Sequence, residues 1–557
     1  MFKRLPLVLA LFFAILPPAF AAEGVVSSAD PRASEAGRAI LREGGSAADA
    51  AMAMMLALTV VEPQSSGIGG GGFFIYHDAK TGKPGTIDGR EKAPAAATPD
   101  RFLNPDGTLM TMREAVPGGL SVGVPGNIRL MQMVHAKWGK LPWAKLFEPA
   151  IRLAEQGFVV NKTLNSRIGG LAPLWSGFPE IAGIYLVDGK APAVGTTLRN
   201  PKLAALLREI AAKGPDAFYR GDNARAISAA IANAPRHPTA LTEADLAAYR
   251  AKERPAVCAP YRQYRICGMG PPSSGATTVF QILGMLERFD MKALGKDNPT
   301  SWHLIAEAMM LAYADRDKYL GDGDFVSVPV QGLLDRAYIA SRSRLISPDA
   351  TLGRYEAGTP PGAEARTAAI PGEVSGTTHF VAVDGRGDVA TMTSTVEGPF
   401  GSQLVANGFV LNNELTDFSF APSKDGAPVA NRIEAGKRPL SSMSPVIVYD
   451  AQGKPVFTTG AAGGKTIIMQ VLKALVAWID WGQSAQAAVA APNIFFSGTT
   501  VVVEDGSSLM PMIPALEQLG HRVVSQSVWG KANDAERTAT GWAGGADPRS
   551  EGEVLPQ

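Results

Sequence analysis

Hydrophobic and polar positions along this chain alternate between helical and strand periods. Residues 30–45 carry Ala36, Ile40 and Leu41 on one face, and Gly44-Gly45 ends that helix. Ser46 with Asp49 three residues on forms a capping box and opens a second helix over residues 47–61. That helix is apolar nearly all round, so it is expected to be buried between layers. Residues 73–77 and 86–91 read as a hairpin. From 129 to 322 the pattern is mostly helical, with amphipathic segments at 146–156, 201–213 and 223–232 and a long core helix at 302–319. Residues 354–373 are rich in Pro, Gly, Ala and charge and read as an exposed linker. Alternation returns at 380–384, breaks at Gly385-Arg386-Gly387 and resumes at 389–396, which predicts a hairpin. Further strands are expected at 446–449, 499–503 and 522–525, with a helix between the last two. The tail ends in a Gly/Asp/Arg-rich segment, 541–552.

Glycines punctuate two of these junctions. Gly69-Gly70-Gly71-Gly72 follows a helix and precedes a strand, the reverse of a dinucleotide-binding order, so close backbone packing is the expected use. Gly460-Ala461-Ala462-Gly463-Gly464-Lys465-Thr466 opens a helix. It has one residue too few between its glycines for a phosphate loop, and its better reading is an anion or oxyanion site at a helix N-terminus.

Composition narrows the class. The 557 residues are 46% hydrophobic and 19% charged, with a formal net charge of +1, so nothing points to nucleic acid as partner. Lys3 and Arg4, an apolar run over 5–16 and Ala19-Phe20-Ala21 read as a signal peptide over 1–21, which predicts an exported chain starting at Ala22, periplasmic or secreted. No later stretch is long and apolar enough for a membrane anchor; residues 471–481 are a buried-helix candidate at most. Cys258 and Cys267 are the two cysteines. A turn at Arg262-Gln263 sets them opposite each other and export permits a disulfide, but the turn lacks the Gly or Asn such hairpins favour, so bridge and free thiols both stay open. Neither the cysteines nor the scattered histidines offer a metal site.

The chemistry centres on Ser375-Gly376-Thr377-Thr378-His379-Phe380. Cutting the Gly376–Thr377 bond gives Thr377 a free α-amine beside its hydroxyl, a nucleophile with its own base. Alone, the stretch reads better as an ordinary Gly-Thr-Thr entering a strand, so the case for cleavage rests on the rest of the chain. Folding the hairpin about Arg386 places Thr377 opposite Thr395, and one residue of slip would point the two to opposite faces.

Several stretches together resemble the γ-glutamyltransferase (γ-glutamyltranspeptidase) family. They are Gly44-Gly45-Ser46-Ala47-Ala48-Asp49-Ala50-Ala51, the run from Val61 to Gly71, Thr377-Thr378-His379, Leu411-Asn412-Asn413, Arg438-Pro439-Leu440-Ser441-Ser442-Met443-Ser444-Pro445, and Ala546-Asp547-Pro548-Arg549. The resemblance implies an α+β N-terminal-nucleophile (Ntn) hydrolase, an αββα sandwich made from one self-cleaved precursor. It implies a large subunit, 22–376, and a small one, 377–557, held as a heterodimer and needing no cofactor or metal. By the family pattern Thr377 attacks the γ-amide of a γ-glutamyl donor such as glutathione and passes the acyl group to water or to an amino acid or peptide acceptor. Thr395 orients Thr377, and the N–H groups of Gly463 and Gly464 form the oxyanion hole. Arg90, Ser441 and Ser442 hold the donor α-carboxylate, while Glu414 and Asp417 take its α-ammonium.

Two features depart from that pattern. Glu397 stands where the family has an asparagine; it either adds a contact to the α-ammonium or repels an α-carboxylate. The segment from Asp417 to Ser441 is short and has no tyrosine for a lid. These keep open a cephalosporin or glutaryl acylase of the same fold, and an unprocessed, inactive binder of γ-glutamyl compounds is the alternative outside catalysis.

Overall fold

The computed structural model describes residues 23–368, 376–527 and 530–557. The signal-peptide segment, the end of the linker and Ser375 lie outside the described residues.

Two antiparallel sheets stack face to face between helices. The first has seven strands in the order Glu553–Pro556, Val25–Ser28, Thr378–Val383, Val389–Thr395, Gly71–Asp78, Lys83–Asp88, Lys252–Arg254. The second has six: Gly541–Ala546, Ala532–Thr538, Pro455–Ala461, Val446–Tyr449, Tyr264–Gly268, Val257–Tyr261. Strand alternation assigns the layers. Phe74, Tyr76, Phe380, Ala382, Ala390 and Met392 pack with the helices Pro31–Arg42 and Ala47–Val61. Their neighbours Phe73, Ile75, Val381, Val383 and Val389 turn inward against Val446, Val448, Phe457 and Ala535 of the second sheet. Helices Gly275–Leu286, Pro299–Tyr319 and Thr466–Ile479 share that second core and cover the far side. The result is the expected αββα sandwich.

The local expectations explain the elements. All residues of Ala47–Val61 are buried, and Ser46 and Asp49 cap the helix reciprocally at 3.1 and 3.0 Å. The hairpin turns about Arg386, with Val389 opposite Val383 and Ser394 opposite Thr378. The glycine run is a close approach: a Cβ on Gly70 would lie 1.9 Å from the Thr395 carbonyl oxygen, and one on Gly69 2.0 Å from that of Val410. Cys258 and Cys267 face each other across their hairpin and are disulfide-bonded. Arg262 takes the left-handed conformation, φ 51°, that the turn requires.

Other segments differ from the sequence reading. The stretch 129–322 holds five strands as well as its helices: the short pair Phe158–Val159 and Thr197–Leu198, and Lys252–Arg254, Val257–Tyr261 and Tyr264–Gly268. The Gly/Asp/Arg-rich segment 541–552 is partly strand, Gly541–Ala546 edging the second sheet, and Glu553–Pro556 just after it edges the first. Strand Ala532–Thr538, absent from the sequence reading, lies between Gly541–Ala546 and Pro455–Ala461. Of the linker, residues 354–368 run without helix or named strand and are mostly exposed or half-buried. Among the described residues no helix is long and apolar enough to cross a membrane.

Candidate active site

Thr377 sits at the head of the strand Thr378–Val383, 4% exposed. Extending the register by one step places it opposite Thr395, and its Oγ1 donates to Thr395 Oγ1 at 3.1 Å. The hydroxyl of Thr395 also accepts from the Glu397 N–H at 2.7 Å. Gly376 is pressed against the loop after Thr395: a Cβ there would lie 2.1 Å from the Glu397 carbonyl oxygen. A side chain at this position would displace the bond that precedes the nucleophile.

The carbonyl of Thr377 accepts from Lys531 Nζ at 3.2 Å. Lys531 Nζ also donates to Glu62 Oε2 at 2.8 Å and Ser65 Oγ at 3.1 Å, at the end of the buried helix Ala47–Val61. Its backbone reaches the glycine turn: Ala462 N–H donates to Lys531 C=O at 3.0 Å, and Lys531 N–H donates to Gln470 Oε1 at 3.0 Å. One residue thus ties nucleophile, helix end and glycine turn together. The sequence reading passed over Lys531 because a lone lysine before a polar strand carries no motif.

The glycine turn has the backbone of an anion site. Gly463 and Gly464 adopt φ 139° and 58°, conformations that L side chains resist, and the helix Thr466–Ile479 starts directly after them. Thr466 Oγ1 closes the turn on the Gly463 carbonyl at 2.8 Å.

Arg90 leaves the strand Lys83–Asp88 and is buried at 1% exposure. Its guanidinium pairs with Glu414 through Nη1 and with Asp417 at 2.5 Å through Nη2, while Nε and Nη2 donate to the carbonyls of Pro439 and Leu440. Glu414 and Asp417 share the short 3-10 helix Glu414–Asp417. The preceding asparagines brace it: Asn412 Oδ1 accepts from Gly123 and Glu414 N–H, and Asn413 Oδ1 accepts from Gly398 N–H. Cation and anions expected to grip opposite ends of a donor are here paired with one another. Arg90 is correspondingly held far in its charged form.

Glu397 joins this group. Carboxylate oxygens of Glu397, Glu414 and Asp417 all lie within 4.8 Å of one another. Glu397 adopts φ 74°, a strained choice for a residue other than Gly or Asn. Next to Arg90, Glu91 is fully buried, and burial with the nearby Glu414 charge pushes its carboxyl well up.

Ser441 and Ser442 lie on the other side. Ser441 Oγ accepts from Met443 N–H at 3.1 Å, and Ser442 Oγ accepts from the buried Arg316 Nη2 at 2.8 Å. Arg316 and Ser274, which receives Arg316 Nε at 2.9 Å, are further members that spacing did not reveal. The short segment before Ser441 folds back as a strap: Asn431 bridges Asp417 C=O and Leu440 N–H, and Phe420 stacks on Phe102 at 4.4 Å.

His379, two residues from Thr377, bonds Thr393 Oγ1 at 2.9 Å and Thr391 Oγ1 at 3.1 Å. Burial lowers it to about 3, so it stays neutral and serves the strands rather than the hydroxyl.

Comparison with known proteins places the whole chain in a family. The profile described as gamma-glutamyltranspeptidase matches residues 33–557. The glutathione hydrolase proenzyme of Escherichia coli (strain K12) is 37% identical over 551 residues, covering 96% of this chain and 92% of that protein. That of Bacillus subtilis (strain 168) is 37% identical over 509 residues, covering 90% and 85%. Among solved structures, the cephalosporin acylase from Bacillus halodurans superposes with a TM-score of 0.85 at 28% identity, covering 98% of this chain and 99% of that one. The chain belongs to the gamma-glutamyltranspeptidase family.

Proposed function

We propose that this chain is a self-processing glutathione hydrolase and γ-glutamyltransferase with Thr377 as nucleophile. The observation that carries the reading is the Thr377 hydroxyl bonded to Thr395 directly after a glycine that admits no side chain. In processing, Thr377 Oγ1 attacks the Gly376 carbonyl, the peptide C–N bond breaks, and water hydrolyses the resulting ester, leaving a free α-amine on Thr377. In turnover that amine takes the hydroxyl proton as Oγ1 attacks the γ-carbonyl of the donor. The Gly463 and Gly464 N–H groups hold the oxyanion, and the α-amine passes the proton to the leaving amine. Water or an acceptor amine then releases the γ-glutamyl group and restores Thr377.

Subunit architecture supports this reading. The proposed large subunit, 22–376, supplies four strands of the first sheet and two of the second; 377–557 supplies the rest. A cut before Thr377 therefore leaves two chains interlocked through both cores, a stable heterodimer. The donor would lie with its α-ammonium on Glu397, Glu414 and Asp417 and its α-carboxylate on Arg90, Ser441 and Ser442. With the signal peptide cleaved, the protein would work in the periplasm or outside the cell.

The whole-chain likeness to a cephalosporin acylase keeps a glutaryl amide in view as substrate. The carboxylate trio weighs against it. A glutaryl group has no ammonium to satisfy three acidic side chains, and its own terminal carboxylate would meet them with like charge. Turnover of γ-glutamyl-p-nitroanilide against glutaryl-p-nitroanilide decides between them, and exclusive turnover of the glutaryl compound overturns the reading. N-terminal sequencing of the small fragment is expected to begin Thr-Thr-His-Phe. Thr377→Ala is expected to remain one chain without activity, and a single uncut band from the wild type would identify an inactive binder instead.

A further inference from the structure

Three buried side chains that take no part in the proposed active site meet one another: His303, Glu307 and His521. His303 and Glu307 stand one turn apart on the helix Pro299–Tyr319, which puts both on one face. His521 precedes the strand Arg522–Gln526, and its N–H donates to the Leu516 carbonyl at 3.2 Å. His303 Nδ1 lies 2.6 Å from His521 Nε2, which lies 3.8 Å from Glu307 Oε1. One atom able to bind a metal from each residue falls within 4.8 Å of the other two. Zinc bonds of about 2.0–2.1 Å at tetrahedral angles set such atoms about 3.3 Å apart. The two measured separations fall on either side of that value. The sequence did not mark the trio, because His521 comes 218 residues after His303.

The surroundings orient these groups as metal ligands. His303 Nε2 faces the Ser347 carbonyl at 2.7 Å. A carbonyl only accepts, so Nε2 carries the proton and Nδ1 turns its lone pair to the cluster. Histidines that bind metals are held through their other nitrogen in this way. Glu307 is held as firmly. Thr351 Oγ1 donates to its Oε1 at 2.8 Å, Tyr355 OH donates to the same oxygen, and Leu352 N–H donates to Oε2 at 2.9 Å. One segment, 347–355, thus fixes two of the three ligands. Charge points the same way. Among the described residues no lysine or arginine pairs with Glu307, and His521 is its one ion-pair partner. Buried charges are ordinarily paired or bound to metals, and a divalent ion would supply the missing charge.

We propose that His303, Glu307 and His521 bind one divalent transition-metal ion, zinc by the ligand set, and that this ion fastens the two subunits together. Two imidazole nitrogens and a carboxylate oxygen suit zinc, with the fourth position left to water. Binding requires His521 to hold its proton on Nδ1, so that Nε2 is free for the metal. His303 and Glu307 precede the proposed cut at Gly376, and His521 follows it. The ion would therefore join the two fragments through coordinate bonds. The site needs no cleavage; only the fastening rests on the processing proposed above.

The test uses the purified protein without a histidine tag, stripped with a chelator and titrated with zinc alone. Elemental analysis is expected to find one zinc held per molecule after dialysis. Cobalt(II) in its place should give the intense visible absorption of a tetrahedral site. Loss of an outer partner of a metal ligand costs about 10–100-fold in affinity. Glu307→Gln and His521→Asn, which remove ligands, are therefore expected to weaken zinc binding by about 100-fold or more, and Tyr355→Phe by about tenfold. Zinc should raise the wild-type melting temperature by several degrees, and raise the urea concentration at which the fragments separate. It should do neither in Glu307→Gln. No retained zinc, or equal retention by wild type and Glu307→Gln, overturns the site. If the ligand variants fail to fold, the wild-type cobalt spectrum decides, and a pale octahedral one overturns the site. Zinc that stabilises a chain never cut would sink the processing reading and leave the site standing. Fragments that hold zinc yet separate at an unchanged urea concentration would overturn the fastening.

Discussion

Lys531 Nζ donates a hydrogen bond to the carbonyl oxygen of Thr377, and the same ammonium is paired with Glu62. Once the Gly376–Thr377 bond is cut, the residue whose carbonyl this buried cation holds would also carry the new α-amine. A nearby positive charge disfavours protonation of an amine, which helps keep the base neutral at working pH. Lys531 also fixes the carbonyl of the nucleophile relative to the glycine turn through Ala462 and Gln470.

Lys531→Met is therefore expected to lower kcat by about tenfold or more with little change in KM, and to move the acidic limb of the kcat/KM profile up by about one pH unit. Lys531→Gln retains a donor without the charge. It is expected to recover much of kcat but not the position of the limb. A limb that stays in place in processed Lys531→Met would mean that the lysine only packs.

For Arg90, burial between Glu414 and Asp417 alters what substitution does. Removing the cation leaves two buried carboxylates without their partner, a change of about 3–5 kcal/mol in comparable pairs. Arg90→Ala is expected to lower the melting temperature as well as donor binding. Arg90→Lys keeps the charge but loses the fork that reaches both acids and both carbonyls. It is expected to fold and mature, and to raise KM at least tenfold for γ-glutamyl donors but little for donors without an α-carboxylate. Equal KM increases for both donors would confine Arg90 to holding the acids in place.

Much of the architecture was readable from local rules. The hairpin about Arg386, the box at Ser46 and Asp49, the buried helix after it and the close-approach glycines each follow from short-range sterics and periodicity. Strand Ala532–Thr538 was not, because its polar residues work inside the protein: Asn533 Nδ2 bonds the His379 carbonyl, and Glu536 holds Trp478 and the Ala485 N–H. Alternation that signals a solvent face in most strands here signals bonds between layers. Strand Val25–Ser28 is short and half serine, and Ser27 likewise bonds Asn533 across the sheets. At the site, residue types were readable from the family resemblance, but their pairing was not. Arg90 meets Glu414 across 324 residues, a contact that no spacing encodes.

Glu397 gives a prediction whose sign discriminates. It joins Glu414 and Asp417 while holding a left-handed backbone that asparagine tolerates better. Glu397→Asn is expected to keep or slightly raise stability. Losing one carboxylate from the trio should raise KM several-fold for a γ-glutamyl donor and lower it for a glutaryl donor, since the first presents an ammonium and the second does not. A fall in KM for the γ-glutamyl donor would show that Glu397 opposes the α-carboxylate rather than drawing the α-ammonium.

His379 links stability to pH near the nucleophile. Burial lowers it from 6.5 to about 3, so as pH falls the unfolded chain takes up this proton first. The neutral ring's contribution is complete above about pH 6.5 and is lost progressively between there and pH 3, by up to about 1.4 kcal/mol per pH unit. His379→Gln cannot titrate and retains a donor and an acceptor for Thr391 and Thr393. Its melting temperature is expected to be lower than wild type at pH 7, because the fit against Gly460 and the two threonines is disturbed. From pH 6.5 to 4 it should then fall less steeply than wild type. Some decline persists, since burial also lowers His77 and His521. Parallel melting curves for the two proteins across that range would assign the acid sensitivity to those histidines and remove His379 from it.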